Sequence, residues 1–221
     1  NRLSAIYRLQ KKHAVNTVEE LNAIYNELDL KIQQVQQLDE VLQKAEAAIN
    51  ANLESLVSKQ KITEEQRTSI KGNLQYINDL NSCIADVIIE AIIEKPEAKI
   101  SLFNQLAEIN HSDTIFASNT SSLSISLLQQ SIKQPQRVAG LHFFNPATIM
   151  KLVEVVKGDE TNEEVIDQLV ALTKQMNKTP VICKDSPGFI VNRVARPYYI
   201  ESLKLVEDGV AERLGIGMGD K

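Results

Sequence analysis

The spacing of hydrophobic and polar positions changes near residue 85. Before that point, apolar residues recur every three or four positions, which is typical of amphipathic helices. They are Leu21, Ile24, Tyr25, Leu28, Leu38, Leu42, Ala45, Ile49, Leu53 and Leu56. Thr17-x-x-Glu20 and Thr63-x-x-Gln66 are capping boxes, which predict helices that begin just after each threonine. Residues 1–80 are therefore predicted to be helical.

From residue 86 onward, short apolar runs alternate with helical stretches. Runs of this length are typical of strands buried on both faces, and the alternation predicts βαβ units in a mostly parallel sheet. The predicted strands cover residues 86–92, 114–117, 138–144, 151–156 and 180–183. Two predicted helices cover residues 96–109 and 124–132. A third follows the capping box Thr161-x-x-Glu164, and a fourth runs from Pro187-Gly188 to residue 207. Residues 209–221 are glycine-rich and predicted to be loop.

One histidine and one glutamate stand out within the predicted strands. His142 ends an apolar strand, and Glu154 lies in the middle of the next, between two valines. A carboxylate in a buried strand needs a partner, and an imidazole steadied by a carboxylate is a suitable general base. The pattern therefore indicates a catalytic pair. A structural histidine and a solvated strand face remain open as alternatives.

Two polar segments follow other strands. Ser118-Asn-Thr-Ser-Ser122 comes directly after a predicted strand, where α/β sheets hold ligands, although such residues also cap helices and form turns. Asp185-Ser-Pro-Gly-Phe-Ile-Val-Asn-Arg193 contains a Pro-Gly hinge before a helix. Its Asn192 and Arg193 are predicted either to face a cleft or to lie on the helix surface.

Composition narrows the functional class. The 221 residues carry a net charge of −5, which argues against a chain that binds nucleic acid, and no apolar run is long enough to cross a bilayer. The beginning of the chain lacks the apolar core of a signal peptide. Cys83 and Cys183 form no paired motif, so we expect a reducing, cytoplasmic location. Three histidines argue against a metal site, and none is predicted.

Taken together, the motifs resemble the NAD-dependent L-3-hydroxyacyl-CoA dehydrogenase family, and most closely its bacterial 3-hydroxybutyryl-CoA dehydrogenase branch. The resemblance extends from about residue 38 to residue 211, and its motifs occur in the family's order. They are Ile89-Glu-Ala-Ile-Ile-Glu94, Ser118-Asn-Thr-Ser-Ser122, Gly140-Leu-His-Phe-Phe-Asn-Pro146, Met150-Lys-Leu-Val-Glu-Val155 and Pro187-Gly-Phe-Ile-Val-Asn-Arg193. The resemblance implies an α/β fold with an incomplete Rossmann-type, mostly parallel sheet and flanking helices, plus the start of an all-α C-terminal domain.

The resemblance divides the chain into three parts. Residues 1–37 are an unmatched helical segment, residues 38–186 a partial NAD-binding domain, and residues 187–221 the start of the helical dimerisation and substrate domain. The family oxidises the 3-hydroxyl of an acyl-CoA in fatty acid or aromatic acid degradation, with NAD as cofactor. The full-length family implies a homodimer, and no nucleic acid or membrane partner is expected.

Roles for individual residues also follow from the resemblance. His142 takes the hydroxyl proton and Glu154 orients it, while Ser121 and Asn192 hold the substrate. The residues that match cofactor contacts are Glu94, Lys99, Asn119, Ser121 and Asn145. The residues that match positions near the CoA moiety are Asn52, Lys59 and Ser121.

The chain departs from the family in one respect that bears on its activity. G-x-G-x-x-G, the loop that cradles a pyrophosphate, is absent from the 221 residues, and Gly215-x-Gly217-x-Gly219 lacks the strand and helix that such a loop needs. We therefore expect these residues alone to bind NAD weakly or not at all. Two further functions remain open: a truncated or non-catalytic acyl-CoA-binding or association module, and a hydroxy-acid dehydrogenase on the same scaffold.

Overall fold

The computed structural model describes residues 2–210 and 212, without the side chains of residues 2, 3, 28 and 30–37. Most of the tail predicted as loop, from residue 213 to 221, lies outside the described residues, as do Gly215, Gly217 and Gly219. The chain divides into two compact units, residues 1–82 and residues 83–221.

Three helices form the first unit: α1 (Arg2–Lys12), α2 (Val18–Ser58) and α3 (Glu64–Gly72). Both predicted capping boxes are present, at Thr17 before α2 and at Thr63 before α3. The domain boundary proposed at residue 38 lies inside α2, which is 41 residues long. No helix in the described part of the chain has the length and apolar character that a membrane span requires.

The second unit contains the five predicted strands, whose ends lie within two residues of their predicted positions. They are β1 (Val87–Glu90), β2 (Ile115–Ser118), β3 (Val138–Phe143), β4 (Leu152–Lys157) and β5 (Thr179–Lys184). The longer helices of this unit are α4 (Pro96–Ile109), α5 (Ile125–Gln129), α6 (Glu163–Gln175) and α7 (Val191–Glu207). Proline opens α4, as predicted, because its fixed φ suits a first helical turn.

The five strands form one sheet in the order β1-β2-β3-β4-β5. The pairs β1–β2, β2–β3 and β4–β5 are parallel, and β3–β4 is antiparallel. The prediction of an α/β fold with a mostly parallel sheet is therefore confirmed. Because β1, β2 and β3 run in the same direction, their carboxyl ends meet at one edge of the sheet. The reversal at β4 places the beginning of that strand at the same edge.

Alternation along the strands sends successive side chains to two faces of the sheet, and one of these faces also carries polar side chains. Odd-numbered residues such as Leu141 and Val155 pack in a buried cluster with Val165, Ile166 and Leu169 of α6. Even-numbered residues such as His142 and Glu154 lie on the opposite face, because successive side chains of a strand point to opposite sides. Even-numbered apolar residues, including Phe116, Val138 and Val156, are buried on that face as well, so hydrophobic packing covers both faces of the sheet. The candidate site occupies the part of the even-numbered face near the carboxyl ends of β1–β3.

The predicted capping box at Thr161 is wrong. Helix α6 begins after Asn162, and Thr161 is buried. The Thr161 hydroxyl donates to the carbonyl of Val138 at 2.6 Å and accepts from the amide of Gln129 at 2.9 Å. Because these buried partners occupy the hydroxyl, it is not available to cap the helix. Contacts between residues far apart in the sequence override the local pattern at this position.

Candidate active site

His142 and Glu154 lie directly opposite each other on the antiparallel strands β3 and β4. Nδ1 of His142 is 2.7 Å from Oε2 of Glu154, and both side chains are almost completely buried. The rings of Phe144 and Phe189 lie 4.6 and 5.7 Å from the imidazole, centroid to centroid. The predicted contact between the two side chains is present. The aromatic neighbours restrict the orientation of the ring.

The second oxygen of Glu154 holds the start of helix α7. Oε1 accepts hydrogen bonds from the backbone N–H groups of Ile190 and Val191, each at 2.9 Å. Ile190 gives α7 no side-chain cap of its own, so Glu154 satisfies N–H groups that a helix N-terminus leaves unpaired. A negative charge at this end also suits the helix dipole. One carboxylate therefore joins the imidazole to α7.

The turn before α7 has an uncommon backbone conformation. Gly188 has a φ of 75° and Phe189 a φ of 47°. Glycine adopts positive φ freely, but a bulky side chain does so only where its surroundings compensate for the strain. Phe189 is 3% exposed and packs against the ring of His142. The strained turn thus places the ring of Phe189 against His142 and directs the backbone amides of Ile190 and Val191 to Glu154.

Ser121 and Asn192 also lie together. Nδ2 of Asn192 is 3.4 Å from the backbone oxygen of Ser121, at the limit of a hydrogen bond. Asn192 directly follows Val191, whose backbone amide donates to Glu154. The first turn of α7 therefore contacts both the His142–Glu154 pair and the segment that contains Ser121. The hydroxyl of Ser121 has no hydrogen-bond partner within the described part of the chain, and Ser121 itself is exposed. A ligand can therefore reach this hydroxyl.

Ser121 belongs to the segment Ser118–Ser122, which we call the serine loop, and Glu94 holds this loop in place. Oε1 of Glu94 accepts from the hydroxyl of Thr120, from the amide of Ser121 at 3.1 Å and from the hydroxyl of Ser122 at 3.2 Å. Burial acts to raise the pKa of Glu94. The Thr120 hydroxyl, the ammonium of Lys99 and the Ser121 amide outweigh that effect, and the pKa lies below its ordinary value.

The lowered pKa of Glu94 predicts an acid-dependent contribution to stability. Because folding lowers the pKa from its ordinary value of 4.5, the contribution is complete above pH 4.5 and is lost as the pH falls through the lower folded value. Denaturant unfolding of the wild type and of Glu94→Gln, compared at neutral and acidic pH, measures this. We expect the difference in unfolding free energy to shrink below pH 4.5. A difference that is constant with pH would contradict the assignment.

The other residues proposed to contact the cofactor occupy quite different environments. Lys99 is 1% exposed, and its ammonium lies 2.6 Å from Oε1 of Glu90 and 3.2 Å from Oε2 of Glu94. Asn119 is half-buried, and its Oδ1 accepts from the amide of Phe143 at 2.8 Å. Asn145 is exposed and precedes a cis proline. Of these three side chains, Asn145 is therefore the most accessible, and Lys99 is enclosed.

The two residues proposed to lie near CoA belong to the first unit. Asn52 is on α2, and Lys59 directly follows that helix. Both side chains are exposed. Their part in CoA binding stays a prediction.

A pocket of about 260 Å³ lies beside the serine loop. It is lined by Ser122, Ser124, Asp185, Ser186 and Pro187. Oδ2 of Asp185 accepts from the hydroxyl of Ser124 at 2.6 Å and from the amide of Ser126 at 2.8 Å. These contacts fix the segment that leads from β5 into the strained turn.

Cys183, on β5, is predicted to be a poorly reactive thiol. Burial, followed by the nearby carboxylates of Glu154 and Asp185, raises its pKa to about 11. At about pH 8 roughly one thiol in a thousand is then ionised, against about a quarter for an ordinary cysteine. We expect iodoacetamide to alkylate Cys183 at least about 100-fold more slowly than free cysteine. Peptide mass spectrometry over time measures the rate. Alkylation as fast as that of free cysteine would contradict the prediction.

The sequence prediction missed three contributors to the site. Glu90 is buried at the end of β1, where its Oε2 accepts from the hydroxyl of Ser118 at 2.7 Å. Thr120 is buried beneath Glu94, and Phe189 covers His142. A glutamate within an apolar strand was a usable signal for Glu90, because a buried carboxylate needs a cation or several donors.

The chain resembles known proteins over most of its length. Residues 19–186 match the family model described as "3-hydroxyacyl-CoA dehydrogenase, NAD binding domain". This match begins at residue 19, whereas the sequence prediction begins the Rossmann-type domain at residue 38. The chain is 49% identical to a 3-hydroxyadipyl-CoA dehydrogenase of Escherichia coli over 173 residues, which is 78% of this chain and 36% of that protein. It is 41% identical to the mitochondrial hydroxyacyl-coenzyme A dehydrogenase of Sus scrofa over 187 residues, which is 81% of this chain and 59% of that protein.

Solved structures agree with the sequence comparison. A 3-hydroxybutyryl-CoA dehydrogenase from Escherichia coli superposes with a TM-score of 0.76 at 48% identity, covering 78% of this chain and 37% of the other. An (S)-3-hydroxybutyryl-CoA dehydrogenase from Ralstonia eutropha gives 0.75 at 34% identity, covering 77% and 61%. The chain thus spans between 36% and 59% of the curated relatives described above. It belongs to the 3-hydroxyacyl-CoA dehydrogenase family, and residues 19–186 match the family's NAD-binding domain.

Proposed function

We propose that this chain carries the reaction centre of an NAD-dependent oxidoreductase that interconverts the 3-hydroxyl of an L-3-hydroxyacyl-CoA and the corresponding ketone. The buried hydrogen bond between His142 and Glu154 carries the proposal. NAD, when bound, supplies the hydride acceptor. The protein must then remove the hydroxyl proton and hold the substrate oxygen.

His142 fits the role of the base. Nδ1–H of His142 donates a hydrogen bond to Glu154, which leaves the lone pair of the neutral ring on Nε2. Nε2 has no hydrogen-bond partner among the described residues. As the proton moves from the substrate hydroxyl to Nε2, the carboxylate 2.7 Å away stabilises the imidazolium that forms. The backbone donors on Oε1 keep that carboxylate in place during the transfer.

Ser121 and Asn192 fit the role of holding the substrate. The hydroxyl of Ser121 is accessible, and the amide of Asn192 lies beside the same loop. We propose that both donate to oxygen atoms of the thioester substrate. Such donors raise the rate where they fix the reacting carbon close to the hydride acceptor.

The side chains of Glu94 and Asn145 fit the nicotinamide end of NAD, but the chain lacks the loop that would bind its pyrophosphate. Glu94 presents a partly exposed carboxylate at the serine loop, and Asn145 presents an exposed amide three residues after His142 in the chain. No G-x-G-x-x-G loop is present in the 221 residues to bind the pyrophosphate. We therefore propose that this chain holds the nicotinamide end and has low affinity for the whole dinucleotide.

Turnover with matched substrates tests the proposed function. The chain is mixed with NADH, at the highest practical concentration, and with either acetoacetyl-CoA or acetoacetate. We expect NADH to be consumed with the thioester and not with the free acid. Consumption only with the free acid would favour a hydroxy-acid dehydrogenase. CoA-ester binding by calorimetry without any consumption of NADH would favour the non-catalytic module, which the missing phosphate loop also suggests.

Cytoplasmic location and a homodimer are further proposals. The two free cysteines, Cys83 and Cys183, support a reducing compartment. Exposed apolar side chains on α7, including Val194 and Leu203, support burial of that helix against other protein. Cell fractionation and analytical ultracentrifugation test these two proposals.

A further inference from the structure

Asp185, which directly follows β5, links that strand to the start of helix α5. Its Oδ2 accepts hydrogen bonds from the hydroxyl of Ser124 at 2.6 Å and from the backbone amide of Ser126 at 2.8 Å. Ser124 is the N-cap of α5, so its hydroxyl and the carboxylate together satisfy N–H groups that the start of a helix leaves unpaired. The backbone amide of Asp185 donates to the carbonyl of Lys157, the last residue of β4. The sheet therefore fixes the backbone of Asp185, and the carboxylate fixes α5.

The two segments that Asp185 joins supply the residues proposed to hold substrate. Ser124 comes three residues after Ser121 and shortly after the serine loop ends. Asp185 leads through the turn at Gly188 to Asn192, in the first turn of α7. Nδ2 of Asn192 lies 3.4 Å from the backbone oxygen of Ser121, so the two segments meet a second time at the candidate site. A change at Asp185 should therefore alter the distance between the two proposed substrate donors.

We propose that Asp185 is a positioning residue, which sets the separation of Ser121 and Asn192 and does not itself contact the substrate. The acyl-CoA thioester as ligand rests on the proposed function, whereas the separation of the two residues does not. Because Oδ2 accepts both hydrogen bonds, the link needs an acceptor oxygen and not a charge. The single side-chain oxygen of asparagine accepts the same two bonds. Asp185 also lines the pocket beside the serine loop, so the experiments must separate positioning from a direct contact.

NMR of the protein without ligands tests whether Asp185 sets the separation. We expect a nuclear Overhauser contact between the side-chain amide of Asn192 and the backbone protons of Ser121 in the wild type, because these groups lie within hydrogen-bond distance. Asp185→Ala should weaken or remove this contact, whereas Asp185→Asn should keep it. Asp167→Ala, a change of an exposed carboxylate on α6, is the matched control and should also keep it. A contact that is unchanged in Asp185→Ala would overturn the proposal.

Calorimetry with acetoacetyl-CoA tests the effect on substrate binding. In Asp185→Ala, we expect the affinity to fall about 10-fold, which is the cost of losing about one hydrogen bond to the ligand. Asp185→Asn keeps the acceptor oxygen and should bind within about 2-fold of the wild type. If Asp185→Asn binds as weakly as Asp185→Ala, the carboxylate charge is required and the proposal is wrong.

Ser124→Ala breaks the same link from its other end and replaces Asp185→Ala if that variant does not fold. It removes the hydroxyl that donates to Asp185, while the amide of Ser126 still donates. We expect the contact between Asn192 and Ser121 to weaken, and the affinity for acetoacetyl-CoA to fall less than in Asp185→Ala. A folded Ser124→Ala with that contact unchanged would contradict the proposal.

Coupling between Asp185 and Asn192 separates positioning from a direct contact with the ligand. Acetoacetyl-CoA affinity is measured in the wild type, in Asp185→Ala, in Asn192→Ala and in the combined variant. If Asp185 acts by positioning Asn192, its loss adds less than about 2-fold once Asn192 is replaced. Losses that multiply would show a direct contact and overturn the proposal. If the wild type binds no acetoacetyl-CoA, the proposed function fails, and the NMR contact alone decides the role of Asp185.

Discussion

Replacing His142 by Gln is expected to lower kcat/KM about 10²–10⁴-fold, the usual cost of removing a general base. Glutamine keeps an amide that can donate to Glu154 but has no basic nitrogen for the substrate proton. The binding of acetoacetyl-CoA should change little, because the substrate oxygens are proposed to be held by Ser121 and Asn192. NADH consumption measures turnover, and calorimetry measures binding.

His111→Gln is the matched control for this experiment. His111 is exposed and lies outside the site, so its replacement should leave the rate unchanged. Equal turnover by the wild type and by His142→Gln would remove His142 from the mechanism. Loss of thioester binding together with turnover would instead indicate that His142 contributes to binding.

Replacing Glu154 by Gln is expected to lower the rate by a similar factor, about 10²–10⁴-fold. The backbone amides of Ile190 and Val191 need an acceptor, so the glutamine oxygen must face them. Its NH₂ group then faces Nδ1 of His142 and donates to it. The imidazole proton must then lie on Nε2, and this nitrogen loses the lone pair that would accept the substrate proton. NMR of the histidine ring nitrogens reports the tautomer, and NADH consumption reports the rate.

Glu154→Ala separates stability from catalysis. Alanine leaves both α7 amides without their acceptor, so we expect unfolding to become easier by about 2–5 kcal/mol, whereas Glu154→Gln should cost less. Urea unfolding followed by circular dichroism measures the difference. Glu160→Gln, a change of an exposed residue shortly after β4, is the control. Full activity in Glu154→Gln, or equal stability of both Glu154 variants, would contradict the described contacts.

Short-range patterns in the sequence were sufficient for much of the fold. Thr17 and Thr63 cap their helices because the partner in each capping box is three residues away. The pairing of His142 with Glu154 followed from the cost of a carboxylate in a buried strand, although the residues are 12 positions apart. In each case the local pattern and the folded structure favour the same contact.

Contacts over longer separations could not be predicted in this way. The amides of Ile190 and Val191 lie 36 and 37 positions from Glu154, and backbone donors leave no trace in residue type. Lys99 matches a cofactor-contact position in the family motif, but the sequence did not indicate that its ammonium also contacts two carboxylates. Burial, which only the folded chain reveals, decides what these groups do.

The reversed direction of β4 bears on which insertions and deletions this fold tolerates. His142 and Glu154 meet across one ladder, so the segment between β3 and β4 can change length without separating them. A single residue added within β4 before Glu154 would instead turn the carboxylate to the opposite face of the sheet. We expect natural variation in length to concentrate in residues 147–149 and to spare the strands on either side.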